Sequence, residues 1–212
     1  MEGVLTGEIQ TPLILCAAFL IFGLILSRRH RKTGRAAAGL SCALILFLLF
    51  FVRNPERIIP DGGHILAPAD GRITAVQQAD SLTRVAIFLS LLDVHVNRIP
   101  CDGRIVSIRH VPGQFRPAFS DRAGSENERM RIVIETAFGE VTVTQVAGMI
   151  ARRIVCRLEE GQEVRRGDVF GMIKLGSRVE LELPGSVQLM IKEGDRVKAG
   201  ETRIGLMTHG NR

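Results

Sequence analysis

Three segments, far apart along a chain of 212 residues, hold the side chains best suited to chemistry. Leu66-Ala-Pro-Ala-Asp70-Gly71 carries a carboxylate. Phe88-Leu-Ser-Leu-Leu-Asp93-Val-His95-Val-Asn-Arg98-Ile-Pro100 carries an imidazole. Phe170-Gly-Met-Ile-Lys-Leu-Gly176-Ser177-Arg178-Val179-Glu180 carries a hydroxyl. General acid–base and nucleophilic catalysis are assembled from such groups. Taken singly, each segment has a plainer reading as a β-turn, a strand end or a Gly-Ser bend. Gly171-x-x-x-x-Gly176-Ser177 approaches a phosphate-binding loop but lacks its lysine. No Gly-x-Ser-x-Gly and no His-Glu-x-x-His occurs. The cysteines at 16, 42, 101 and 156 form no Cys-x-x-Cys pair, so four free thiols and no metal site are expected.

The elements that must position these residues are short. Past Arg53 the sequence breaks into apolar runs rich in β-branched residues. Arg72-Ile-Thr-Ala-Val76, Arg84-Val-Ala-Ile-Phe-Leu89 and Val141-Thr-Val-Thr-Gln-Val146 are examples, separated by Asp-Gly, Pro-Gly and Glu-Gly turns. This texture predicts a mainly β domain. Phe115–Glu128, with Pro117 and Gly124, is expected to be a long loop.

Two repeats run through the domain. Pro68-Ala-Asp70-Gly71-Arg72-Ile73 recurs as Pro100-Cys-Asp102-Gly103-Arg104-Ile105. Glu160-Gly161-x-x-Val164-x-x-Gly167 recurs as Glu193-Gly194-x-x-Val197-x-x-Gly200. Turns that each feed a strand suit a sandwich of interlocked hairpins. The Gly-x-x-Val-x-x-Gly units resemble those of biotinyl- and lipoyl-type barrel-sandwich domains. Those domains carry a modified lysine on a hairpin tip, whereas Lys174 and Lys192 fall in strand-like sequence here.

The first quarter is different. Pro12–Ser27 and Ala36–Val52 are free of charge and flank the basic run Arg28-Arg29-His30-Arg31-Lys32-Thr33-Gly34-Arg35. At about 1.5 Å per residue each stretch makes a helix of roughly 24–26 Å, at the short end for a hydrocarbon core of about 30 Å. A membrane-anchoring helical hairpin is expected over residues 1–55, followed by a β domain over 56–212. Basic residues at the tip place it on the cytoplasmic side if both helices span. A hairpin that enters and returns on one face is the alternative.

Composition narrows the function. Apolar residues make up 46% of the chain, and mean hydropathy is +0.18. The net charge of +6 divides evenly between residues 1–52 and the remaining 160, so the β domain is close to neutral for its size. With neither Trp nor Tyr to stack on bases, nucleic acid is not the expected partner.

Together and in this order, the three segments resemble the phosphatidylserine decarboxylase family in its short bacterial form. Phe51-Val-Arg-Asn-Pro-Glu-Arg57 is similar to the family's opening phrase. Gly176-Ser177 matches its self-cleavage motif, in a Gly-Ser-Arg version. Val111-Pro-Gly113 and Asn127-Glu128-Arg129 match further family segments. The resemblance implies a proenzyme in which the Ser177 hydroxyl attacks the Gly176 carbonyl. The chain then parts into a β chain, 1–176, and an α chain, 177–212, blocked by a pyruvoyl group made from Ser177. No external cofactor and no metal is implied.

The resemblance further implies His95 as base in maturation and proton donor in turnover, with Asp70 orienting it or sharing that role. Many relatives carry a second histidine where this chain has Arg98. The implied substrate is phosphatidylserine in the cell membrane, decarboxylated to phosphatidylethanolamine at the cytoplasmic face. Arg53 and Arg57 are the expected phosphate contacts. A homo-oligomer is left open. The competing expectations are a membrane-anchored adaptor with a lipoyl-like domain, which stays uncut, and a carrier domain modified on Lys174 or Lys192.

Overall fold

The computed structural model describes residues 10–79, 81–118, 120, 122–149, 153–173 and 176–207. The chain divides into two compact units, Met1–Asn54 and Pro55–Arg212.

The first unit is helical. Helix α1 is Gln10–Leu26 and helix α2 is Arg31–Phe51. They pack against each other across a tight turn in which His30 N–H bonds Leu26 O at 2.8 Å. Cys16 and Ser41 are buried, while Ile14, Phe19, Phe22, Ile25, Leu40 and Leu46 are among many apolar side chains left exposed. Helix α2 is long and apolar enough to cross a membrane by length and composition; the apolar stretch of α1, Pro12–Leu26, is shorter.

The second unit is mainly β, and its named strands pair antiparallel. Its largest sheet has eight strands in the order β13-β2-β3-β11-β7-β6-β5-β9. These are β13 (Arg196–Val197), β2 (Gly71–Gln78), β3 (Leu82–Leu89), β11 (Ser177–Pro184), β7 (Gly139–Val146), β6 (Arg129–Thr136), β5 (Gly103–Val111) and β9 (Glu163–Val164). Two three-stranded sheets accompany it. One orders β1 (His64–Leu66), β14 (Arg203–Met207) and β12 (Val187–Leu189). The other orders β4 (Val96–Arg98), β10 (Val169–Ile173) and β8 (Ile154–Cys156).

Strand β11 shows why these residues make a half-buried strand. Ser177, Val179, Leu181 and Leu183 point inward and are buried, and the residues between them point out. The inward row continues across the sheet, with Val179 opposite Ile87 and Leu181 opposite Val85 and Val143. Outside, Glu182 bonds Arg84 of the adjacent β3 at 3.0 Å and reaches across β7 to Arg131 of β6 at 2.9 Å. The expected loop at Phe115–Glu128 contains one helical turn, α3 (Ala123–Glu126).

The sequence repeats are structural repeats. Gly71 pairs with Val197 and Gly103 with Val164, so β2·β13 and β5·β9 form equivalent edges of the large sheet. Their hydrogen bonds match. Gly194 N–H bonds Ile73 O as Gly161 N–H bonds Ile105 O, at 2.9 and 2.7 Å. Glu193 accepts the Val76 N–H as Glu160 accepts the Ile108 N–H, both at 2.9 Å. Asp70 accepts the Ala199 N–H as Asp102 accepts the Arg166 N–H, both at 2.8 Å. The aspartate of each Asp-Gly turn thus ties down the chain beyond the valine of the facing repeat.

Candidate active site

Three central strands of the large sheet stop at one end. Strand β3 finishes at Leu89, opposite Ser177, where β11 begins; β7 finishes at Val146, opposite Arg178. Gly176, just outside β11, has φ +69°. That left-handed conformation strains any side-chain-bearing L residue and explains a glycine here. Ser177 opens the inward row and is fully buried, and among the described residues its Oγ has no hydrogen-bond partner. A hydroxyl so placed is desolvated and uncommitted.

His95 reaches the same point from the chain that leaves β3. Asp93 closes the turn there, its carboxylate accepting the Ser90 N–H at 2.8 Å and the Ser90 hydroxyl at 2.7 Å. The His95 ring is fully buried, with Nδ1 2.9 Å from Asp93 O and Nε2 3.3 Å from Gly176 N. A carbonyl only accepts, so Nδ1 carries the proton and donates it. Nε2 then presents a lone pair to the Gly176 N–H. A backbone carbonyl fixes the tautomer, the task an aspartate performs in a serine–histidine–aspartate triad.

Asp70 stands elsewhere. Besides the Ala199 N–H, both of its oxygens lie 2.9 Å from Nη2 of Arg57. Among the described residues it makes no hydrogen bond to His95 or Ser177. In this geometry Asp70 is committed to Arg57 and the Ala199 N–H rather than to orienting His95, the role expected of it. Arg57 also departs from expectation. Its side chain is 5% exposed and lies between Asp70 and, at 3.8 Å, Glu201, so it is not presented to a lipid phosphate.

Arg98, at the position of the second histidine in many relatives, donates to Gly167 O at 2.8 Å and Pro55 O at 3.2 Å. Burial and then the neighbouring Arg57 charge push its guanidinium down from the ordinary value, against Asp70, Glu201 and Asp168. Arg53, in the helical unit, donates to Phe50 O at 2.8 Å and lies 3.7 Å over the Phe50 ring. Lys192 sits in the turn before β13, its N–H bonded to Asp195, and Lys174 lies outside the described residues.

Two side chains not singled out from the sequence face the same interior. Gln145 Nε2 donates to Asn97 Oδ1 at 2.8 Å, both residues fully buried. Gln145 is opposite Val179, which puts its side chain on the inward face that Ser177 opens. Asn97 Nδ2 and Gln145 Oε1 have no partner among the described residues. The sequence did carry a signal: Val141-Thr-Val-Thr-Gln145 alternates, and glutamine falls where the alternation requires an apolar residue.

The sequence is similar to those of known proteins. Residues 44–205 match the family model described as Phosphatidylserine decarboxylase. A phosphatidylserine decarboxylase proenzyme of Chlorobaculum tepidum is 46% identical over 207 residues, covering 94% of each chain. That of Chlorobaculum parvum is 45% identical over 207 residues, covering 94% of this chain and 95% of its own. That of Chlorobium phaeobacteroides is 44% identical over the same length, covering 94% and 96%. The chain belongs to the phosphatidylserine decarboxylase family.

Proposed function

We propose that this protein is made as a proenzyme, cuts itself between Gly176 and Ser177, and then decarboxylates phosphatidylserine to phosphatidylethanolamine and CO2. The observation that carries this reading is the buried, unpartnered Ser177 Oγ beside Gly176, whose N–H rests on the Nε2 lone pair of His95.

In maturation, Nε2 exchanges the Gly176 N–H for the Ser177 O–H and takes its proton. Oγ bonds to the Gly176 carbonyl carbon, and the peptide C–N bond breaks as its nitrogen gains a proton. The amide becomes an ester. Loss of the Ser177 α-proton then expels the Gly176 carboxylate, leaving a dehydroalanine. Water converts this to the pyruvoyl group and ammonia. The products are a β chain, 1–176, and an α chain, 177–212. The residues present fit such a group, because position 177 is enclosed and needs no second cofactor-binding element.

In turnover, the pyruvoyl group at 177 supplies the electron sink for the pair left by departing CO2. His95 holds the proton that returns to the substrate carbon. Its full burial excludes water as a competing donor.

The surroundings support a lipid substrate. Leu91, Leu92 and Met149 are 42%, 69% and 57% exposed at the sheet end that carries Gly176, with Leu91 Cδ2 4.0 Å from where a Gly176 Cβ would stand. Helices α1 and α2, apolar on their outer faces, serve as a membrane hairpin that keeps the enzyme at the cytoplasmic face of the cell membrane. Arg53 contacts the lipid phosphate. The equivalent β2·β13 and β5·β9 edges support a barrel-sandwich reading of the β unit.

The deciding experiment is the intact mass of wild type beside Ser177→Ala, with release of CO2 from phosphatidylserine in detergent. The expected result is two fragments split at 176/177, with CO2 release, and an uncut, inactive variant. A wild-type chain that stays whole under active conditions rejects the reading.

A further inference from the structure

We propose that Gly148 is the seat of the scissile carbonyl: having no side chain there fixes where the Gly176 C=O points when Ser177 attacks it. The inference rests on the self-cleavage reading above. Gly148 is buried, two residues past β7. A Cβ built on it would overlap the Gly176 carbonyl oxygen, lie 3.1 Å from the carbonyl carbon and lie 3.3 Å from Ala118 Cβ. The Gly148 backbone is thus in contact with the oxygen that the nucleophilic attack turns into an oxyanion.

Neither partner is free to move apart. On the Gly148 side, fully buried Asn127 donates through Nδ2 to Ala147 O at 2.8 Å and Arg116 O at 2.9 Å, and its Oδ1 accepts the Arg116 N–H at 2.9 Å. The Ala147 N–H bonds Glu128 O at 2.9 Å. On the other side, Ser177 is paired with Leu89 within the sheet, and before attack the Gly176 N–H is held by His95. A methyl at 148 has backbone before it and Ala118 behind it, so it is accommodated by turning the 176–177 peptide plane. Attack on a carbonyl needs the nucleophile over one face of that plane. A misplacement of about 1 Å costs on the order of 100-fold in rate. Gly148 is accordingly a positioning residue for maturation, and Asn127 holds it in place.

The test is cleavage of the full chain, followed by intact mass, in wild type, Gly148→Ala, Ala118→Gly and the double variant. Thermal unfolding of each is measured in a Ser177→Ala background, where all chains stay whole. The expected result is that Gly148→Ala melts cooperatively and cuts about 100-fold more slowly than wild type. A Gly148→Ala chain that cuts at the wild-type rate overturns this inference alone. A wild-type chain that does not cut overturns the self-cleavage reading, and this inference with it. If Gly148→Ala does not melt cooperatively, the double variant decides, because removing the Ala118 methyl relieves the contact behind the new one while the Gly176 oxygen still stands before it. A folded double variant that cuts more slowly than Ala118→Gly supports the inference. One that cuts as fast as Ala118→Gly, or does not fold, overturns it.

Discussion

Gly176 donates its N–H to Nε2 of His95 at 3.3 Å, while His95 Nδ1 sits 2.9 Å from Asp93 O. The imidazole is therefore anchored by main chain on one side and accepts the N–H of the residue that precedes the cut on the other. His95→Gln offers an amide acceptor to the Gly176 N–H but no base. Its cleavage rate, followed by intact mass, should fall by about 10²–10⁴. Cleavage within a few-fold of wild type would show that the ring only positions Gly176.

Asp70 and Asp102 are equivalent in the repeat, and only Asp70 also pairs with a buried arginine. Asp102→Ala removes a hydrogen bond to the Arg166 N–H and should cost about 1 kcal/mol. Asp70→Ala leaves Arg57 buried and short of its partner, and should cost about 3–5 kcal/mol. Urea unfolding of the two variants in a Ser177→Ala background separates these costs. Equal losses would mean that the Arg57 pair contributes nothing beyond the turn.

Burial, and then the Asp102 charge, pushes the Cys101 thiol up to about 12. The unfolded thiol ionises near pH 8.5. The unfolded state thus binds fewer protons than the folded state above that pH, and stability is lost as pH rises through the window between the two values. The slope is about 1.4 kcal/mol per pH unit. Urea midpoints measured from pH 8 to 11 should fall more steeply for wild type than for Cys101→Ala. Parallel curves would show that the thiol ionises in place.

Gln145→Leu leaves Asn97 Oδ1 buried without a donor and should cost about 1–3 kcal/mol. Adding Asn97→Leu removes the orphan as well, so the double variant should be less destabilised than the two single losses added together. Thermal unfolding of all three in the Ser177→Ala background measures the coupling. Strict additivity would mean that the two amides do not act as a pair.

Much of this was legible in the residues. The charge-free runs around Arg28–Arg35 gave two helices, and the β-branched runs between glycine turns gave antiparallel strands, because both signals lie within short stretches of chain. The Asp-Gly and Gly-x-x-Val repeats announced equivalent sheet edges, since identical turns make identical backbone bonds. Ser177 stood out through its Gly-Ser motif, whereas Gln145 went unnoticed although it breaks the alternation of its strand. What the sequence could not supply was partners. Nothing near Asp70 in the chain says that its carboxylate meets Arg57, or that a carbonyl two residues upstream orients His95. The contact between Gly148 and Gly176 joins residues 28 apart whose strands happen to lie side by side. Local sequence determined the elements and the reactive groups. Only the pairing of distant strands decided which group faces which, because that choice is made by packing one face of a sheet rather than by any residue alone.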